Sequence, residues 1–112
     1  MSIFSNHLER LGHLHDSRVP RIILDTDECR LRLDIDDIYS NSLGLPEYRG
    51  PESRSIVLDG VSELTIQMRS GTKCLSIYEF VVTPEGSSEG GLAEIRFAPG
   101  GIIKAKFCRA EF

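Results

Sequence analysis

The spacing of apolar side chains changes from a helical to a strand-like pattern near residue 18. Between Ser2 and Leu14, apolar residues recur at intervals of three and four, which places them on one face of a short helix. These residues are Ile3, Phe4, Leu8, Leu11 and Leu14. Because a helix of this length is not stable by itself, it must dock on another element. The pattern therefore predicts one short N-terminal helix packed against the rest of the domain.

From residue 18 onward, apolar and polar residues alternate with the period of a β-strand. The clearest run is Cys29–Ile38, and Arg18–Leu24 precedes it. The connection Asp25–Glu28 is typical of a hairpin, so the two runs are predicted to pair. Pro20 cannot donate a hydrogen bond to a neighbouring strand, so the first strand is expected to lie at a sheet edge or to begin near Pro20.

Further strand-like runs follow along the rest of the chain. They are Ser55–Met68, Cys74–Thr83, Leu92–Ala98 and Ile102–Phe112. Asp59-Gly60 predicts a bulge or bend within the first of them, and Pro99-Gly100-Gly101 predicts a tight hairpin between the last two. No second helical pattern separates the strands, which excludes a parallel βαβ architecture. The chain is therefore predicted to be mainly β (α+β at the margin), an antiparallel β-sandwich or bent sheet of about six strands.

Composition and charge narrow the class of protein. The 112 residues fit a single domain, 1–112, and 40% of them are hydrophobic. The net charge is −4, with acidic and basic residues mixed along the chain, so no basic field is present to hold a nucleic acid. No apolar run approaches the roughly 20 residues of a membrane helix. The first residues resemble no signal peptide, so we expect a cytoplasmic, bacterial-type protein.

The cysteines predict neither a disulfide framework nor a zinc site. Cys29, Cys74 and Cys108 are odd in number, widely spaced and without a Cys-x-x-Cys motif. Each falls within a strand-like run, so we expect buried free thiols.

The densest group of histidine and aspartate residues lies where the helical pattern ends. His13, His15 and Asp16 could bind a divalent metal, and they are similar to the start of the HxHxDH motif of metallo-β-lactamase-like hydrolases. The Asp-His completion of that motif is missing here. In the alternative interpretation, His15, Asp16 and Ser17 form a structural junction, where Asp16 and Ser17 satisfy backbone groups at a turn.

A second polar group follows the strand that begins at Cys29. Asp34 and Asp36 share one face of that strand and Asp37 follows, so they could chelate a cation, act as an acid/base pair or attract a basic partner. A solvated strand face is the alternative interpretation. The loop from Tyr39 to Arg54 is long for a small domain and contains residue types that anchor protein interfaces. The predicted binding residues are Asp34, Asp36, Asp37, Tyr39, Tyr48 and Arg49.

Three segments carry a resemblance to a group of small bacterial domains. The turn His15-Asp16-Ser17-Arg18-Val19, the run Cys29–Asp36 and the segment Ile56–Val61 resemble domains that share a Leu-His-Asp-Ser or Leu-His-Asp-Ala turn. Some of those domains are similar to immunity proteins of polymorphic toxin systems. The resemblance implies a β-rich, non-enzymatic protein that binds a toxin domain.

The sequence therefore leads to one preferred function and two alternatives. We expect a non-catalytic protein-interaction domain without a cofactor, an immunity-type inhibitor whose acidic balance suits a basic toxin domain. The first alternative is a small metal-dependent hydrolase that uses His13, His15 and Asp16. The second is a self-associating structural subunit, such as a homodimer.

Overall fold

Two antiparallel β-sheets and one short N-terminal helix form the fold. The computed structural model describes residues 3–40, 44–46, 48, 50–68, 75–85 and 89–112. Helix α1 (Ile3–Arg10) is followed by a single 3₁₀ turn at Gly12–Leu14. The strands of the described residues are β1 (Arg21–Asp25), β2 (Arg30–Ile35), β3 (Arg54–Asp59), β4 (Glu63–Gln67), β5 (Ser76–Pro84), β6 (Gly91–Ala98), β7 (Ile102–Phe107) and β8 (Arg109–Glu111). The predicted mainly β class with an N-terminal helix is confirmed.

Among the described residues, each sheet contains four strands. The first has the order β1-β2-β3-β8 and the second the order β4-β7-β6-β5, with every neighbouring pair antiparallel. The predicted edge position of the first strand is confirmed, and β1 begins at Arg21, directly after Pro20, rather than at Arg18. Within the described ranges, none of the helices is both long and apolar enough to span a membrane.

The described residues form eight strands rather than about six, because two of the predicted runs each divide into two strands, one in each sheet. Ser55–Met68 divides into β3 and β4 at Gly60, where the bend was expected, and Ile102–Phe112 divides into β7 and β8 at Cys108. Since β3 pairs with β8 and β4 pairs with β7, the two bent strands cross together from one sheet to the other. Strands that bend in this way form the corner of a packed pair of sheets.

A short segment before β1 links the sheets a second time. The amide of Val19 donates to the carbonyl of Leu75 at 2.8 Å, and the amide of Ile77 donates to the carbonyl of Ser17 at 2.8 Å. On the other side, the amide of Asp36 donates to the carbonyl of Arg18 at 3.0 Å. The segment from residue 16 to residue 19 therefore holds the end of β2 against the beginning of β5.

The core lies between the two sheets and is closed at one end by the helix. The predicted hairpin of β6 and β7 is confirmed, with Ile95 opposite Ile103 and Ala93 opposite Ala105, all fully buried. Phe4 of α1 packs against Phe80, with ring centroids 6.1 Å apart. In β6 and β7, buried and exposed residues alternate as the apolar and polar residues of the sequence do.

The described cysteines were expected to be buried, and this expectation was wrong. Cys29 lies in the turn between β1 and β2, with a left-handed φ of 52°, and its thiol is exposed. Cys108 is exposed because it occupies the bend between β7 and β8. Cys74 lies outside the described residues.

Candidate functional site

An open groove of about 510 Å³ lies on the first sheet, where β2, β3 and β8 are neighbours. We call it the acidic groove because three of its polar side chains are carboxylates. Its polar lining is Asp34, Asp36, Ser53, Arg54, Ser55 and Glu111. Apolar surface from Val57 and Phe112 completes the wall. The groove thus contains two of the predicted binding residues, Asp34 and Asp36.

Asp34 lines the acidic groove and is already fully partnered. The Ser55 hydroxyl and the Arg32 Nε–H each donate to Asp34 Oδ1 at 2.8 Å, and Arg21 Nε lies 3.6 Å from Oδ2. Ser55, and then Arg32, hold the pKa of the Asp34 carboxyl below its ordinary value, against the effect of burial. Its side chain is only 19% exposed, so this carboxylate positions its neighbours and offers little surface to a partner.

Asp36 is the exposed carboxylate of the pair. Its side chain is 55% exposed, and its ion pair with Arg18 is long, at 4.0 Å between Nη1 and Oδ2. The Ser53 hydroxyl donates to the Asp36 carbonyl at 2.9 Å, which fixes the backbone where β2 ends. The register places Glu111 opposite Val57, on an exposed strand end at the other side of the groove. Asp36 and Glu111 are therefore the groove carboxylates that a partner can reach.

Asp37 turns away from the acidic groove and organises the loop that follows. Its carboxylate accepts hydrogen bonds from the Tyr48 hydroxyl at 2.6 Å, the Tyr39 amide at 3.0 Å and the Glu52 amide at 3.2 Å. Burial by itself raises the pKa of the Asp37 carboxyl, but these hydrogen bonds outweigh it, so the pKa lies below its ordinary value. The bond to Asp37 in turn raises the pKa of Tyr48. Asp37 thus joins the beginning and the end of the loop.

The three predicted interface residues of the loop have different positions. Tyr39 is half-buried and packs against the core, whereas Tyr48 is half-buried beside Asp37. Arg49 lies outside the described residues. The structure therefore places the two tyrosines at the base of the loop, next to the strand end that carries Asp36.

A second partnered aspartate on the same sheet escaped the sequence analysis. The Arg30 Nε–H donates to Asp59 Oδ1 at 2.6 Å, and Arg109 Nη2 lies 3.6 Å from Oδ2. The hydrogen bond from Arg30, and then the charges of both arginines, lower the pKa of the Asp59 carboxyl despite its burial. The same hydrogen bond raises the pKa of Arg30. The sequence indicated only a bulge or bend at Asp59-Gly60, and the contact of Asp59 with the two arginines depends on a register between strands that the sequence does not specify.

The residues of the predicted junction connect the helical segment to the second sheet. His15 Nδ1 lies 2.8 Å from the Tyr78 carbonyl, and the amide of Asp16 donates to the Ile77 carbonyl at 2.9 Å. Ser17 is fully buried, and its hydroxyl donates to the Asp37 carbonyl at 3.0 Å. These contacts hold the junction against β5 and against the base of the loop.

The structure does not gather His13, His15 and Asp16 around one point. His15 Nε2 lies 3.5 Å from Asp16 Oδ1, while His13 is exposed in a left-handed turn with a φ of 57°. Across the described ranges, no three His, Cys, Asp or Glu side chains come together in a group that could hold a metal ion.

Comparisons with known proteins assign the chain to no family. The chain matches no protein-family model, and no curated protein matches it. The resemblance to Leu-His-Asp-Ser domains therefore stays a prediction that rests on the turn His15–Val19 and on the two strand segments.

Proposed function

We propose that this chain is a non-catalytic protein-interaction domain, an immunity-type inhibitor that binds a basic toxin domain. The observation that supports the proposal best is the acidic groove, an open concavity with Asp36 and Glu111 accessible on its walls. The net charge of −4 favours the approach of a basic partner. In this proposal the domain inhibits by covering the surface of the toxin and performs no reaction on it.

Basic side chains of the toxin enter the acidic groove and pair with its accessible carboxylates. Asp36 is the first contact, because its ion pair with Arg18 is long and exposed and can be exchanged at little cost. Asp34 stays bound to Arg32 and Ser55, so it keeps the groove wall rigid. Rigid surroundings favour affinity because fewer side chains have to be ordered on binding.

The loop held by Asp37 forms the rim of the proposed interface. Tyr48 donates a hydrogen bond from its hydroxyl to Asp37, and its half-exposed side chain contacts the partner in this proposal. Tyrosine is enriched at interface hot spots because one side chain supplies both apolar area and a polar group. The ordered base of the loop thus gives the partner an apolar contact beside the charged groove.

Co-expression with the product of the adjacent gene tests this function. If that product is toxic in a bacterial host, the chain should restore growth, and the purified pair should form a one-to-one complex whose affinity falls with salt. The double variant Asp36→Lys/Glu111→Lys reverses both accessible groove charges and should abolish rescue and complex formation. The matched control Glu63→Lys/Glu79→Lys makes the same change in net charge on exposed positions of the second sheet and should still rescue.

Two outcomes would reject the proposal. The first is an adjacent gene whose product is harmless and does not bind the chain. The second is equal rescue by the groove variant and by its control, which would show that the acidic groove is not part of the interface. Circular dichroism of both variants separates a loss of binding from a loss of folding.

A further inference from the structure

Each sheet has two edge strands, and the chain protects them unequally. Edge strands present unpaired backbone groups, so proteins usually shorten, cover or distort them. In the first sheet, β8 is only three residues long, from Arg109 to Glu111. In the second sheet, β5 has a bulge between Ile77 and Glu79, and its first residues are hydrogen-bonded to the segment that contains Arg18. These two edge strands are therefore poorly suited to pairing with another strand.

In the part of the chain that the structure describes, strand β1 has none of these protections. Among the described residues it pairs only with β2, and no bulge interrupts it. The side chain of Leu24 lies opposite Leu31 on the core-facing side of the sheet, yet Leu24 is 45% exposed. Ile23, on the other face, is 38% exposed. An exposed strand edge flanked by uncovered apolar side chains is a template for pairing with another strand.

The sequence of β1 is complementary to itself in the antiparallel direction. It reads Arg21-Ile22-Ile23-Leu24-Asp25, with opposite charges at its two ends. If two copies pair around a two-fold axis at Ile23, each Arg21 lies opposite Asp25 of the other copy. Ile22 then lies opposite Leu24 on the core-facing side. Directly opposed charges and apolar pairs are the contacts that stabilise neighbouring antiparallel strands.

We propose that β1 pairs with β1 of a second copy of this chain, joining the two first sheets into one continuous sheet. A two-fold arrangement uses the same surface on both copies, which a self-complementary strand satisfies. The edge strand β4 fits less well, because the same operation places Glu63 opposite Gln67 and brings no opposite charges together. The dimer goes beyond the proposed inhibitor function and does not depend on it.

Pairing at this edge buries a small area, so the dimer is weak and depends on concentration. Each dimer carries two acidic grooves, one on each copy. A partner with two binding surfaces would therefore be held more tightly by the dimer than by a single chain.

Sedimentation equilibrium over a concentration series tests the dimer. Wild type should associate to a dimer at high concentration. Arg21→Asp and Asp25→Arg should each raise the dissociation constant about tenfold or more, because each places like charges opposite each other across the interface. An equimolar mixture of the two variants should recover the dimer, since positions 21 and 25 of a mixed pair again carry opposite charges across the interface.

The mixture also distinguishes a loss of dimerisation from a loss of folding. Arg21 contacts Asp34, and Asp25 accepts the amides of Asp27 and Glu28 at 3.1 Å each, so either single variant loses local contacts as well. A folding defect would not be repaired by mixing two defective chains, and melting curves of both variants check this directly.

A second pair of variants distinguishes the two exposed edges. Ile23→Lys places two ammonium groups at the two-fold axis and should leave a monomer, whereas Thr65→Lys in β4 should leave the dimer intact. Three results overturn the proposal: a wild-type monomer at every concentration, a mixture that does not recover the dimer, or a dimer that is lost with Thr65→Lys and kept with Ile23→Lys.

Discussion

Gly60 lies directly against Cys108 at the corner where two paired strands leave one sheet and enter the other. A Cβ added to Gly60 would lie 2.8 Å from Cys108 Cβ and 2.9 Å from its Sγ. The amide of Cys108 donates to the carbonyl of Asp59 at 2.9 Å, so the strands stay bonded at the bend. Gly60 also has a left-handed φ of 65°. Both the space and the backbone conformation at this corner therefore require glycine.

Replacement of Gly60 by alanine should be strongly destabilising. The added methyl group overlaps Cys108, and the left-handed conformation is unfavourable for alanine, so we expect Gly60→Ala to lower the free energy of unfolding by about 2–4 kcal/mol. Gly44→Ala is the matched control, because Gly44 has a φ of 87° and, apart from its chain neighbours, no described residue has an atom within 4 Å of the added Cβ. It should cost only about 1–2 kcal/mol. Urea unfolding of both variants measures the difference. Equal losses in the free energy of unfolding would show that the contact with Cys108 does not contribute to the effect.

Two turns of the fold were predictable because the sequence specifies them locally. The turn Pro99-Gly100-Gly101 and the alternation on either side of it were enough to predict the hairpin of β6 and β7 and its buried face. The bend at Asp59-Gly60 was also predicted, since glycine interrupts the alternation there. In each case the signal lies within a few residues of the structure that it determines.

Features that depend on distant residues were not predictable in this way. The segment around Cys108 contains neither glycine nor proline, and it bends where its amide is hydrogen-bonded to the Asp59 carbonyl, next to Gly60. The neighbours of Asp34 in the acidic groove come from other strands, Ser55 from β3 and Arg21 from β1. The alternation predicts which face these residues occupy, but the register between strands decides which of them touch.

The loop after β2 should depend on the hydrogen bonds of Asp37. We expect Asp37→Ala to lower the free energy of unfolding by about 1–3 kcal/mol, because it leaves the Tyr39 and Glu52 amides without their acceptor. Tyr48→Phe removes only the donor at 2.6 Å and should cost less. Tyr39→Phe is the control, since the Tyr39 hydroxyl has no hydrogen bond to any described residue.

Urea unfolding and limited proteolysis of the loop check this prediction together. Asp37→Ala should be cleaved between residues 44 and 51 faster than wild type. The cleavage rate of Tyr48→Phe should lie between the rates of Asp37→Ala and wild type. If Tyr39→Phe destabilises the chain as much as Tyr48→Phe does, the loop is held by aromatic packing and not by the carboxylate.

Stability should fall in acid because the pKa values of three carboxyls are lowered in the folded chain. Asp34, Asp37 and Asp59 all have folded-state pKa values below their ordinary ones. In acid the unfolded chain therefore binds more protons than the folded chain, and protonation favours unfolding. The contribution of these groups is complete above their unfolded-state pKa of about 4 and is lost as the pH falls through the lower folded-state values.

Urea midpoints measured from about pH 7 down to about pH 2 test this dependence. Asp34→Asn/Asp59→Asn should be less stable than wild type at neutral pH and should show a smaller loss in acid, because two of the three groups no longer titrate. Parallel curves for the variant and wild type would mean that other groups govern acid unfolding.

The junction at Asp16 gives the sharpest distinction between a structural and a metal-binding role. Asp16 has a left-handed φ of 69°, and its side chain is 73% exposed, with its Oδ1 3.5 Å from His15 Nε2. Aspartate tolerates this conformation better than alanine does, and glycine tolerates it best. We therefore expect Asp16→Ala to lower the free energy of unfolding by about 0.5–1 kcal/mol, and Asp16→Gly to preserve stability or raise it by up to about 1 kcal/mol.

Zinc added during thermal unfolding supplies the second measurement. In the structural interpretation, the backbone conformation at Asp16 decides stability, so zinc should shift the Tm of neither wild type nor the variants. A metal site would behave in the opposite way: zinc would raise the Tm of wild type, and both Asp16→Ala and Asp16→Gly would lose that shift together with the carboxylate ligand. Because glycine restores the backbone conformation but not the ligand, Asp16→Gly separates the two roles even if Asp16→Ala unfolds more easily.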